Sequence, residues 1–213
     1  MKLPASLYSA RNLWNLPNLL TILRIALVPV MALLLGFDSE QPPFDQDWMF
    51  RYSPGRVAAV VLAIMGVTDL LDGYLARLWK TESLLGKFLD PLADKLVLMV
   101  GLIMLQDLDR VSAWLVIVLL SREFLVTGLR GIAVGEGIVI AAGSAGKFKL
   151  IFQMVGLGFL MWYGSAFGLP AVKVGTFILY IALLISVASG LQYLTGFFAA
   201  LSRKKRAGGA QTA

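Results

Sequence analysis

The stretch Asp69-Leu70-Leu71-Asp72-Gly73-Tyr74-Leu75-Ala76-Arg77, continued by Gly86, Asp90 and Asp94, decides how this chain is read. It sets four carboxylates within twenty-six residues of a chain whose composition belongs in lipid. An ionised Asp at the centre of a membrane helix costs about 3 kcal/mol on insertion scales. Four of them cost roughly 10 kcal/mol even with some near the membrane edge. Such a cluster persists only where a cation neutralises it. On a helix, Asp69, Asp72, Gly73 and Ala76 fall at i, i+3, i+4 and i+7 and share one face. Gly86, Asp90, Ala93 and Asp94 repeat the arrangement on the next helix. Each stripe is an open notch bordered by oxygen. The short basic connection Leu78–Leu85 is expected to fold the two helices antiparallel, so that both notches meet at one end. Converging carboxylates suit two hard cations, Mg²⁺ or Mn²⁺, with phosphate oxygens completing the coordination. Pairing with Lys87, Lys95 or Arg77 accounts for two acids, but not for four aligned with small residues. The pattern points to an enzyme.

Working outward, 58% of the 213 residues are apolar and only 15% charged, against roughly a quarter charged in soluble chains. Mean hydropathy is +0.78. Six segments approach the roughly 20 residues that cross a bilayer as helix: Leu19–Phe37, Arg56–Leu75, Phe88–Gln106, Ser112–Val134, Phe148–Gly164 and Val174–Ala200. The last is long enough to tilt, bend at Gly190 or leave the bilayer. The expected fold is an all-α, six-span transmembrane helical bundle with a short amphipathic N-terminal helix over Leu3–Pro17. Residues 1–202 form one membrane domain, followed by a basic, disordered tail over 203–213. The first apolar run lacks a small-residue cleavage pattern and is read as a span, not a signal peptide.

Basic residues give the orientation. Lys2, Arg11, Arg77, Lys80, Lys87, Lys147, Lys149 and Arg203-Lys204-Lys205-Arg206 fall on one face, and by the positive-inside rule that face is cytoplasmic. Both termini and the carboxylate end then lie inside. Asp38, Glu40, Asp45 and Asp47 fall outside, with Arg51, Arg56, Arg110 and Lys173. The net charge of +6 is therefore mostly a topology signal, and no nucleic-acid partner is expected. The tail is read as meeting anionic membrane lipids. Cysteine and histidine are both absent, which excludes disulfides, thiolate nucleophiles and imidazole bases. Acid–base work falls to carboxylate, lysine or tyrosine.

The run Asp69–Asp94 resembles the signature of the CDP-alcohol phosphotransferases, D-x2-D-G-x2-A-R-x8-G-x3-D-x3-D, with every spacing kept. The resemblance implies transfer of a phosphatidyl group from a CDP-linked lipid to an alcohol, with release of CMP. It implies that Asp69, Asp72 and Asp90 are metal ligands, and that Asp94 is both ligand and general base. Gly73, Ala76, Arg77 and Gly86 would lie against the nucleotide, with Arg77 facing the diphosphate.

The acceptor must be read outside this motif. In Ser121-Arg122-Glu123-Phe124-Leu125-Val126-Thr127-Gly128-Leu129-Arg130, the spacing lets Arg122, Glu123 and Arg130 point into the bundle. Arg130, Lys147 and Lys149 could form a cationic pocket beside the metals, suited to a phosphate-bearing acceptor. Lysines that only flank a span, and an Arg122–Glu123 ion pair that only holds helices, are the plainer readings. Asn15-Leu16-Pro17-Asn18-Leu19-Leu20-Thr21-Ile22-Leu23-Arg24, Ser121-Arg122-Glu123 and Gly146-Lys147-Phe148-Lys149 resemble the bacterial phosphatidylglycerophosphate synthase branch of the family. The likeness runs from about Asn15 to Gln153. It implies a bacterial inner-membrane location, CDP-diacylglycerol as donor and sn-glycerol 3-phosphate as acceptor, with Asn18 and Thr21 facing the CDP moiety. Arg24 is equally read as a cytoplasmic flanking residue. A homodimer is compatible with such a bundle. The nearest alternative is a sister transferase using inositol phosphate, serine or phosphatidylglycerol. A divalent-cation transporter would stagger its acids through the membrane depth, whereas these cluster at one end.

Overall fold

A computed structural model describes residues 16–38, 53–79, 84–136, 145–166 and 168–209. At 17, 72, 74–77, 79, 84, 85, 87, 88, 145–147, 165, 166 and 203–209 it describes the backbone alone. Six helices follow in order: α1 (Leu16–Gly36), α2 (Pro54–Trp79), α3 (Leu84–Asp107), α4 (Ala113–Gly135), α5 (Ala145–Trp162) and α6 (Ala171–Gly209). Between α5 and α6 a small antiparallel hairpin pairs β1 (Ser165–Ala166) with β2 (Leu169–Pro170), and Gly168 takes the positive φ of 79° in its turn. Each expected apolar segment is thus a helix. Among the described residues, three stretches are long and apolar enough to cross a membrane: Asn18–Gly36, Pro54–Leu71 and Ala171–Ser202. Phe148–Trp162 is apolar but shorter. The remaining helices carry the charges discussed below, which lowers their apolarity. The expected amphipathic helix over Leu3–Pro17 lies almost wholly outside the described residues.

Buried positions explain how the helices meet. Along α1, Asn18, Thr21, Arg24, Val28, Met31 and Leu35 are all buried, at spacings of three and four. This is the single stripe of a helix packed on neighbours. Its first half is polar and its second half apolar. On α2, Ala58, Leu62 and Met65 are buried, and the same spacing then reaches Asp69. On α3 the order reverses: Gly86 and Asp90 precede the buried Ala93, Val97, Gly101 and Leu105. The core stripe of three helices therefore turns polar at the same end of the bundle. Among the described residues, α1 packs along both α2 and α3, which share no comparable contact with each other. Asp69 and Asp94, one from each acidic notch, meet beside α1.

At the opposite end a buried polar knot ties the helix ends. Asp38, just after α1, pairs with Arg110 at 2.9 Å and accepts the Ser53 hydroxyl at 3.0 Å. The Arg110 guanidinium lies 4.2 Å from the centroid of the Tyr163 ring. Arg110 follows α3, Tyr163 follows α5 and Ser53 precedes α2, so four helices are joined there. Both members of the ion pair are nearly inaccessible, a state that requires pairing.

The tightest crossing joins α5 to α6 through glycine. A methyl group placed on Gly175 would lie 2.9 Å from the Gly156 carbonyl oxygen and 2.9 Å from Leu160 Cγ. Small residues let helix backbones approach this closely where lipid supplies no hydrophobic drive. α6 itself runs unbroken through Gly190 to Gly209. The basic run Arg203–Arg206 thus extends the helix instead of opening a disordered tail, because Ala199-Ala200-Leu201 and the following Lys and Arg are strong helix formers. Gly175→Val is expected to destabilise the bundle by about 1–3 kcal/mol, the usual cost of overpacking. Gly131→Ala, where a methyl group meets nothing within 4 Å, should leave stability unchanged or slightly raised. Thermal unfolding of both variants in detergent checks the contrast, and equal melting points would remove the close crossing as a constraint.

Candidate active site

The polar ends of α1, α2 and α3 form one site around Arg24. Its side chain has no solvent exposure and its Nη1 lies 2.8 Å from Asp69 Oδ1 and 3.5 Å from Asp94 Oδ1. One guanidinium from α1 thus joins an acid of α2 to an acid of α3. One turn earlier on α1, the Thr21 hydroxyl donates to Asp90 Oδ1 at 2.6 Å. Asn18, a further turn back, is buried on the same stripe. Asp69 and Asp94 keep 28% and 23% of their side-chain surface, so the acids are partly accessible while Arg24 is enclosed.

Of the expected metal ligands, Asp69, Asp90 and Asp94 are therefore gathered by α1. Asp72 follows Asp69 by one turn on the described backbone of α2, and its side chain lies outside the described set, as do those of Ala76 and Arg77. Gly73 is half-buried and Gly86 buried. Among the described residues no three carboxylates close on a single point as a finished metal cage. The donor chemistry nevertheless fits a hard divalent cation: the donors are carboxylate oxygens, with neither sulfur nor imidazole, and they already converge on a cation, the Arg24 guanidinium.

A second polar cluster adjoins the first. Lys149 of α5, buried, pairs with Glu123 Oε1 of α4, and Arg122 Nη1 lies 3.2 Å from the same oxygen. Arg122 Nη2 reaches across to Ser189 Oγ of α6 at 2.6 Å. Its passage is allowed by Gly190, where a methyl group would sit 3.1 Å from Arg122 Nε. Gln153, wholly buried, stands one turn beyond Lys149. Arg122 and Glu123 thus point into the bundle as expected. Arg130 is exposed instead, with its guanidinium 5.5 Å from the Tyr193 ring centroid. Lys147 contributes only backbone to the description. Lys95, next to Asp94 in the chain, interacts electrostatically with Asp94, Glu123 and Arg130, so the acidic and basic clusters are neighbours.

Arg24 is the residue the sequence reading undervalued. A flanking arginine would sit at the span's edge, exposed. The signal was available in the spacing: Arg24 and Met31 are seven apart, as are Thr21 and Val28, which places it on the buried stripe. Ser189 and Gln153 carried no comparable signal, because a lone hydroxyl or amide in an apolar helix does not announce its partner.

With this geometry in view, comparison with known proteins is informative. Residues 14–200 match the model of the CDP-alcohol phosphatidyltransferase family. The CDP-diacylglycerol–glycerol-3-phosphate 3-phosphatidyltransferase of Bacillus subtilis is 38% identical over 197 residues, covering 89% of this chain and 98% of the relative. That of Haemophilus influenzae is 34% identical over 187 residues, covering 85% and 92%. That of Rickettsia typhi is 33% identical over 180 residues, covering 84% and 94%. The matched region takes in all six helices up to the last turns of α6, and with it both polar clusters. By this match over nearly its whole length, the chain belongs to the CDP-alcohol phosphatidyltransferase family.

Proposed function

We propose that this enzyme transfers the phosphatidyl group of CDP-diacylglycerol to sn-glycerol 3-phosphate, forming phosphatidylglycerophosphate and CMP in phospholipid biosynthesis. The observation that carries this reading is the convergence of Asp69 and Asp94 from separate helices on one point, in a chain whose near full-length relatives bear the name of that activity.

Dependence on a divalent cation is general in the family. Asp69, Asp72, Asp90 and Asp94 would hold two Mg²⁺ or Mn²⁺ ions here. Such ions, when bound, polarise a phosphoryl group and stabilise charge on its oxygens. The chain's own residues supply the rest. Thr21 fixes the Asp90 rotamer through its 2.6 Å hydrogen bond. Asn18, Thr21, Gly73, Ala76, Arg77 and Gly86 form the proposed nucleotide surface. Asp94 takes the proton of the acceptor hydroxyl as that oxygen attacks the lipid phosphorus. The new P–O bond forms as the bond to the CMP oxygen breaks, and CMP leaves with that electron pair. Holding both reactants in line is the larger part of the catalysis.

The acceptor phosphate is assigned to Arg130, Lys147 and Lys149, supported by Arg122 and Glu123. The Lys149–Glu123 pair modifies this assignment. Two cations share Glu123, so the cluster keeps a net positive charge with Arg130, while Lys149 itself is already engaged. Arg130 and Lys147 are therefore the cleaner test of phosphate binding.

The lipid chains reach the site from the side. An apolar groove of about 340 Å³ between α2 and α5 is lined by Ala59, Ala63, Gly66, Val155, Gly158 and Trp162, among others. Gly66 is one turn from Asp69, so a chain in this groove leads to the carboxylates. We read all six helices as spans of a bacterial inner membrane, with the carboxylate end and both termini cytoplasmic. Asp94 of α3, Glu123 of α4 and Lys149 of α5 support this reading, since they lower the hydropathy of their helices while pairing inside the bundle.

Asp72→Asn and Asp90→Asn keep side-chain shape but remove a hard anionic ligand. Each is expected to lose nearly all CMP release while the thermal unfolding transition remains cooperative. Wild-type activity should vanish in EDTA and return with Mg²⁺ or Mn²⁺; undiminished turnover in the chelator would remove metal from the mechanism.

Asp94→Asn separates catalysis from binding. Turnover should fall by about 10² to 10⁴, the usual contribution of a general base. Affinity for CDP-diacylglycerol should change far less. Equal losses in both would make Asp94 a ligand only.

Arg130→Gln and Lys147→Gln address the acceptor. Losing one charge-assisted contact to phosphate is worth about 1.5–3 kcal/mol. The KM for glycerol 3-phosphate should therefore rise roughly tenfold to hundredfold, with that for CDP-diacylglycerol nearly unchanged. Unaltered glycerol 3-phosphate kinetics in both variants would return these residues to a topological role. The assay is CMP release from CDP-diacylglycerol with each candidate acceptor in turn.

A further inference from the structure

We propose that Arg24 is the built-in counter-cation of the carboxylate cluster: it holds α1, α2 and α3 together at the site when no metal is bound, and it weakens the cluster's affinity for divalent cations. The proposal rests on the reading of Asp69 and Asp94 as metal ligands.

Three observations lead to it. Among the described residues Arg24 is the largest fully buried side chain, and it sits on the same stripe of α1 as the apolar core. A guanidinium without solvent access requires anionic partners, and those partners are supplied by two different helices, Asp69 of α2 and Asp94 of α3. Finally, among the described residues α2 and α3 contact α1 but not, to a comparable extent, each other. The described cohesion of this end therefore passes through α1, and Arg24 ties it to both neighbours. Arginine suits the task better than lysine because its planar, forked guanidinium can face two carboxylates at once.

The electrostatic consequence has a definite sign. Without Arg24 the metal-free cluster has one positive charge fewer beside the same acids. That raises the free energy of the metal-free protein more than that of the metal-loaded one, in which the bound ions already neutralise the acids. Removing Arg24 should thus tighten metal binding while weakening the metal-free fold. A residue that merely oriented the ligands would act in the opposite direction, since disordered carboxylates bind metal less well. With two divalent cations bound, four carboxylates and Arg24 leave the site one positive charge, which favours an anionic diphosphate.

The test uses the full-length protein in detergent. Mn²⁺ binding is followed by the electron paramagnetic resonance signal of free Mn²⁺, and melting temperature is measured in EDTA and in saturating Mn²⁺. In Arg24→Gln the melting temperature in EDTA should drop clearly below wild type, and Mn²⁺ should recover most of the loss. Its Mn²⁺ affinity should rise about tenfold, the scale of one charge–charge contact discounted for the partial exposure of both acids. Arg24→Lys keeps the charge and should bind Mn²⁺ nearly as wild type does. Should Arg24→Gln fail to fold in EDTA, the double variant Arg24→Gln/Asp69→Asn decides, since removing one acid with the cation restores the charge balance. Recovery of the fold in the double variant supports the counter-cation. Weaker Mn²⁺ binding in Arg24→Gln, or a double variant no more stable in EDTA than Arg24→Gln alone, overturns it. If wild type binds no Mn²⁺ the metal reading fails, whereas the comparison of single and double variants in EDTA still tests the charge role.

Discussion

The buried guanidinium of Arg24 organises the carboxylate end of this bundle. Burying a guanidinium is costly, by several kcal/mol after relaxation, unless carboxylates meet it at close range. Arg24 satisfies that requirement with acids drawn from two other helices, at 2.8 and 3.5 Å. The requirement runs both ways. Asp69 and Asp94 are acids in apolar helices, and each also needs a cation nearby. The position of α1 between α2 and α3 follows from this reciprocity as much as from the apolar contacts of Val28, Met31 and Leu35 further along the same stripe.

The molecule separates its polar chemistry into two ends of opposite character. At one end Asp38 and Arg110 are almost fully enclosed, with Ser53 and Tyr163 completing their environment. An ion pair so enclosed ties helix ends and offers nothing to a substrate. At the other end the carboxylates retain about a quarter of their surface. They are held by neighbours yet accessible, the condition a reacting site needs. Between the two lies an apolar core of Leu98, Leu102, Leu105, Leu157 and Leu179, with glycine allowing α5 and α6 to close on each other.

The basic cluster shows how a shared carboxylate tempers a binding surface. Glu123 carries both Lys149 and Arg122, so two of the cations that could meet a phosphate also brace α4 against α5 and α6. The plainer sequence reading, an Arg122–Glu123 ion pair within the bundle, is present in the structure. It coexists with the proposed acceptor site, since the cluster retains positive charge and Arg130 remains exposed. Lys95, within reach of Asp94 and of Glu123, couples the two clusters electrostatically.

The sequence by itself determined the apolar, all-helical class, the six helical segments and the family signature. These are local properties: hydropathy over some twenty residues sets a helix, and spacing of three and four sets a face. The family signature is likewise contained in one stretch, Asp69–Asp94, and a single unbroken pattern needs no tertiary knowledge to be read. Only the tertiary structure brought Arg24 to those acids. The sequence offered Arg77, Lys87 and Lys95 as neighbours in the chain, and the structure adds Arg24, forty-five residues before Asp69, carried to Asp69 and Asp94 by the packing of α1. It also decided that Lys149 is spent partly on Glu123 and that Arg122 reaches Ser189. Partner choice for a buried charge depends on which helices touch and at what rotation, and those quantities come from the sum of all packing contacts, not from any window of sequence.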